Sequence, residues 1–130
     1  METAVELDLP VDHRSVREAR LFVAAANERA VDPLAAARLI EAQLIISELV
    51  ANALLHGGLR PGDWIRVTFA RHRAQLRIDV DDGGTFTADC ETFAPSQPGS
   101  DSDSRGLRIV QALTSHWQAD NGRVTAWLNC

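Results

Sequence analysis

The stretch "SELVANALLHGG" (Ser47–Gly58) is apolar at most positions, yet it carries Glu48, Asn52 and His56 at intervals of four residues. That interval belongs to one face of a helix, so the three polar side chains form a stripe on a helix otherwise built of Leu, Val and Ala. With Glu48 set at zero and an advance of about 100° per residue, Glu41 falls at about 20°, Asn52 at about 40° and His56 at about 80°. Ile46, Val50, Ala53 and Leu54 fall on the opposite half, which can cover a sheet. Leu44 and Leu55 flank the stripe at about −40° and −20°, which predicts a cleft partly closed to water rather than an open solvent face. Taken alone, the segment also fits an exposed Glu–Asn pair and a histidine beside a glycine C-cap.

Upstream, "VDPLAAARLIEAQLII" offers Asp32 as cap and Pro33 at the first helical position, and Gly57 supplies a left-handed C-cap. One long helix is therefore predicted over Pro33–His56. Before it, "AVELDLP" alternates and predicts a strand at about Thr3–Leu9. "SVREARLFVAAANERA" has helical spacing, with Asp12 or Ser15 as its cap. After it, "RPGD" is a turn, and "WIRVTFA" and "QLRIDVDD" alternate on either side of "RHRA", a β-hairpin. Residues 85–104 lack periodicity and are rich in Ser, Asp, Pro and Thr; so long a loop in a small domain is usually functional, often a lid. "RGLRIVQALTSHW" predicts a helix capped by Asp103 or Ser104, and "GRVTAWLN" a final strand. This order predicts a single α/β domain over residues 1–130. Its expected architecture is a two-layer sandwich with helices on one face of a mixed, mostly antiparallel sheet.

Composition narrows the chemistry. The 130 residues include 13 basic ones, all Arg, and 18 acidic ones, for a net charge of −5. An acidic chain makes a nucleic-acid or anionic-membrane surface unexpected. Without lysine there is no Walker-type phosphate loop, no Schiff base and no protein-kinase lysine–glutamate pair. Cys90 and Cys130 have no metal-type spacing, and "METAVELDLP" has no signal-like apolar run, so reduced thiols in a cytoplasmic protein are expected.

Two further segments bear on ligands. In "LRIDVDDGGTF", Leu76, Ile78 and Val80 share one strand face, and the alternation continues to Asp82 as the strand ends. An inward carboxylate there suits a ligand with a hydrogen-bond donor, and Gly84 allows close backbone approach. A tight Asp-Gly turn is the plainer reading, and a shift of one residue would make Asp81 and Gly83 the pair; parity favours Asp82. In "SDSRGLRIV", a Ser- and Gly-bearing loop running into a helix presents backbone amides and a positive dipole end, which suit phosphate, with Arg105 adding a forked cation. An ordinary capped helix start has the same pattern.

In series, "ExxxNxxxHG", "IDVDDGG", a loop and "RGLxIV" follow the order found in the GHKL ATPase family (histidine kinase-like ATPase fold). The chain resembles the small single-domain branch of that family, the anti-sigma factor serine kinases, over essentially its whole length. The resemblance implies that Asn52 ligates Mg²⁺ bridging the phosphates of ATP, and that Glu48 orients or deprotonates the attacking hydroxyl. His56 and Gly57 complete the helical motif at the nucleotide site. Asp82 would accept the adenine amino proton, with Gly84 letting the base sit close. Arg105 and the amides of Gly106 and Leu107 would hold the β- and γ-phosphates under the lid, and Thr125 would complete the adenine pocket. The implied function is an ATP-dependent serine/threonine protein kinase acting on an anti-anti-sigma (STAS-type) partner and sequestering a sigma factor, in a homodimer. The alternative is a non-catalytic ATP-binding module whose whole function is sequestration. Retention of Glu48 favours the enzyme, since nucleotide binding alone needs no base.

Overall fold

A computed structural model describes residues 3–56, 59–60, 62–82, 103–120 and 122–129. The elements run β1 (Thr3–Pro10), α1 (Ser15–Arg29), α2 (Ala36–His56), β2 (Trp64–His72), β3 (Gln75–Asp81), α3 (Asp103–Leu113), β4 (His116–Asp120) and β5 (Arg123–Asn129). Five strands form one sheet in the order β1-β2-β3-β5-β4. The α/β sandwich is as expected, with one refinement: every described pairing is antiparallel, so no parallel pair of a mixed sheet is found among the described residues.

Alternation divides the sheet into two unlike faces. Rows such as Val67, Val80 and Val124, or Phe69, Ile78 and Ala126, lie side by side across β2, β3 and β5 and are buried. Against them α2 turns Ala42, Ile45, Ile46, Leu49, Val50 and Ala53, the spacing of one apolar helical face. Ala19 and Val23 of α1 and Val110 of α3 complete the core. The helices lie along the sheet in chain order: α1 contacts β1 and β2, α2 contacts β3 and β5, and α3 contacts β4.

The other face is polar and ordered by charge. Asp8, Arg66, Asp81, Arg123 and Asp120 align in one row across all five strands, alternating in sign. Arg66 Nε donates to Asp8 Oδ1 at 2.8 Å and Arg123 Nη2 to Asp81 Oδ2 at 3.2 Å. The bond from Arg66 is the main reason the Asp8 carboxyl lies below its ordinary value of 3.8, with desolvation opposing it. In the next row Thr125 Oγ1 donates to Asp79 Oδ1 at 2.6 Å, and Arg77 Nε reaches Asp79 Oδ2 at 2.9 Å, which allows Asp79 to be buried.

Several boundaries differ from the sequence expectation, each for a tertiary reason. The long helix begins at Ala36, not Pro33: Leu34 N–H is taken at 2.7 Å by Oδ1 of the buried Asn27 on α1, and the Asp32 carbonyl accepts from Arg71. Asp32 is thereby held by the sheet and does not cap the helix. Neither Asp12 nor Ser15 caps α1. Asp12 Oδ1 accepts the Arg14 N–H at 2.8 Å and so forms the turn, while the buried Ser15 hydroxyl donates to the Pro10 carbonyl at 2.6 Å. The third helix stops at Leu113, and the "HW" assigned to it opens β4 instead. Thr114 turns back on the Val110 carbonyl, and Ser115 N–H is captured by the Trp127 carbonyl of β5 at 2.8 Å.

Candidate nucleotide site

The polar stripe on α2 passes from the surface into the interior. Glu41, nearest the start of the helix, is tied by Arg38 Nη1 at 2.7 Å, an ion pair one turn apart. Glu48 is half-buried and Asn52 is 5% exposed. The flanking leucines do not close the stripe as expected: Leu44 is 39% and Leu55 67% exposed. Asn52 is buried all the same, on a helix that contacts α1, α3, β3 and β5.

Asn52 holds the most informative atom. Its Nδ2 is buried and has no hydrogen-bond partner among the described residues. A buried carboxamide left unmatched is costly and rare in a settled core, and it is expected where a ligand completes the bonding. The donor set also suits a hard cation, which takes a carboxamide oxygen as ligand and keeps other positions for phosphate and water. Among the described residues no group of three or more His, Cys, Asp and Glu could hold a metal ion. Mg²⁺ needs none, because one or two protein ligands with substrate phosphates suffice. The residues present therefore fit Mg²⁺ and a nucleotide.

The two candidate carboxylates of the "VDD" strand end are separated by strand parity. Asp81 belongs to the outer face, in the charge row with Arg123. Asp82 is 4% exposed, and its N–H is fixed by the Gly122 carbonyl at 3.0 Å. Asp82 is thus the inward member of the pair. Gly122, at φ 81°, escaped the sequence reading although it positions the end of β3; the visible signal was the "DNGR" turn.

Thr125 is not brought to this site. It neighbours Val124, which faces the helices, so its hydroxyl lies on the opposite face of the sheet and is bonded to Asp79. Arg105 and Gly106 fall in the first turn of α3, inside the helix rather than in a loop before it. Leu107 lies one residue beyond that turn, where an amide has an acceptor in its own helix, so it is a poor phosphate donor. His56 ends α2 as expected; its side chain and those of Arg105 and Leu107 are outside the described set. Gly84 and lid residues 85–102 also lie outside the described residues, whereas 103 and 104, assigned to the lid, open α3.

No helix among the described residues is long and apolar enough to cross a membrane. A comparison with curated proteins returns no match. The model of the histidine kinase-like ATPase domain matches the chain over residues 9–129, from the end of β1 to the end of β5, and includes Glu48, Asn52 and Asp82. With the match spanning nearly the full length, and with a sandwich fold and a buried, unmatched amide on α2, the chain belongs to the histidine kinase-like ATPase domain family.

Proposed function

We propose that this chain is an Mg²⁺-dependent ATP-binding serine/threonine protein kinase that phosphorylates an anti-anti-sigma (STAS-type) partner and sequesters a sigma factor, working as a homodimer. The observation that carries the nucleotide reading is the buried Asn52 Nδ2, unmatched among the described residues, one helical turn from Glu48. Mg²⁺ supplies neutralisation of the phosphate charge. Asn52 would hold it through Oδ1, and Asp82, buried at the end of β3, would accept the adenine amino proton. Glu48 remains partly open to solvent, as a group must that orients a partner's hydroxyl and takes its proton. Binding of a protein partner is supported by Leu44 and Leu55, exposed apolar side chains on α2 close to Glu48 in helical angle. The same exposed face suits the alternative, a non-catalytic module that binds ATP and only sequesters.

The deciding experiment titrates ATP, with and without Mg²⁺, against wild type, Asn52→Ala and Asp82→Asn, and then follows transfer of labelled γ-phosphate to a STAS-type protein. Each substitution is expected to weaken Mg-ATP binding more than tenfold, about 1.4 kcal/mol or more, since each removes a buried polar contact. Glu48→Ala is expected to keep binding and lose transfer. Tight Mg-ATP binding with no partner ever labelled would establish the sequestering module instead.

A further inference from the structure

At the sheet edge formed by β1 and β2, the last turn of α1 and the segment that follows it border a cavity of about 340 Å³. This lies at the start of α2, whereas Asn52 is 16 residues into that helix, about 24 Å along its axis. Val5, Phe22, Ala26 and Phe69 give the cavity an apolar wall, and Arg29, Arg71 and Arg73 stand around it with Asp32. Three arginines and one aspartate line it, on a chain whose net charge is −5.

The three arginines are unequally engaged. Arg71 is 18% exposed; one of its Nη groups donates to the Asp32 carbonyl and the other lies 3.5 Å from the Asp32 carboxylate, which is itself 90% exposed. Its Nε is buried and has no acceptor among the described residues. Arg29 and Arg73 have no carboxylate partner among the described residues. Arg73 sits in the two-residue turn between β2 and β3 with φ at 57°, the left-handed conformation such a turn demands.

We infer that this cavity binds a small-molecule carboxylate with an apolar body, a site separate from the nucleotide. A carboxylate oxygen would satisfy the buried Arg71 Nε–H, and the guanidiniums of Arg29 and Arg73 supply the excess positive charge for a monoanion. The apolar body would lie against Phe22 and Phe69, in a volume at the lower end of the usual range for small-molecule sites, roughly 300 Å³ upward. A neutral ligand gains no charge-assisted bond from the arginines, and a cation meets three like charges. The cavity therefore selects for sign as well as for hydrophobicity.

Octanoate is the probe, titrated calorimetrically into the full chain beside 1-octanol and octylamine, with backbone amide shifts mapped by NMR. Saturable octanoate binding is expected, at least tenfold tighter than 1-octanol, with octylamine weaker still and shifts centred on Phe22, Arg29 and Arg71. Arg29→Gln and Arg73→Gln should each weaken octanoate several-fold, and Ala25→Leu, which fills the cavity from an exposed helical position, should abolish binding. Thermal melts of each variant confirm that it is folded, and if Ala25→Leu does not fold the two arginine variants decide. Absence of saturable octanoate binding, 1-octanol binding as tightly as octanoate, or affinity unmoved by both arginine substitutions would overturn the inference. ATP titration of the same variants is expected to match wild type, because none of these residues belongs to the Asn52 site.

Discussion

Asn52 and Thr125 show how two buried polar residues on one domain differ in what they do. The Asn52 amide has a buried Nδ2 without a partner among the described residues, and such a group costs about 1–3 kcal/mol in proteins. Asn52→Leu is therefore expected to raise the stability of the nucleotide-free protein by about 1 kcal/mol while abolishing ATP binding. Urea denaturation of both proteins without nucleotide, followed by ATP titration, checks both halves. Thr125 is the reverse case: its hydroxyl is matched by Asp79 at 2.6 Å, and both residues are buried. Thr125→Val should lower stability by about 1.5 kcal/mol, since it leaves a buried carboxylate oxygen short of a donor, and should leave ATP affinity unchanged. An affinity loss in that variant would return Thr125 to the nucleotide site.

Among the elements, α2 carries the site, and its start is set by a neighbour rather than by its own sequence. Asp32-Pro33 is a good local helix start, yet the Leu34 N–H is bonded to Asn27 of α1 and the chain enters the helix only at Ala36. Removing the acceptor in Asn27→Ala leaves a buried N–H unmatched and is expected to cost about 1–3 kcal/mol, measured as a fall in urea midpoint. The hairpin between β2 and β3 turns in two residues, with Arg73 in the left-handed region where glycine is the natural occupant. Arg73→Gly should therefore fold at least as stably as wild type, by up to about 1 kcal/mol, while losing affinity for octanoate. The two readouts moving in opposite directions would mark the arginine as retained for binding.

On the scale of the whole molecule, the sheet has an apolar face that binds the helices and a charged face that aligns its strands. The row Asp8, Arg66, Asp81, Arg123, Asp120 has its opposite charges side by side only in the observed register, so it opposes slippage. Its pH dependence has a definite sign. The Asp8 carboxyl lies lower in the folded chain than its ordinary 3.8, so its contribution is complete above the unfolded value and is lost as pH falls through the folded one. The stability gap between wild type and Asp8→Asn should hold steady while the pH stays above the ordinary 3.8, close as the pH falls below it through the folded value, and shrink at high salt. Urea midpoints measured across that range test it. The fold class, the two central strands, the helical stripe of Glu48 and Asn52, and the inward parity of Asp82 were legible in the sequence, because periodicities of 3.6 and 2 are local properties of the chain. What only the tertiary structure decided was every feature that depends on a hydrogen bond to a distant segment: the delayed start of α2, the fourth strand captured by β5, and Thr125 committed to Asp79 on the far face of the sheet. A backbone N–H or a threonine hydroxyl bonds to whichever acceptor the assembled fold brings to it, and no local pattern names that acceptor.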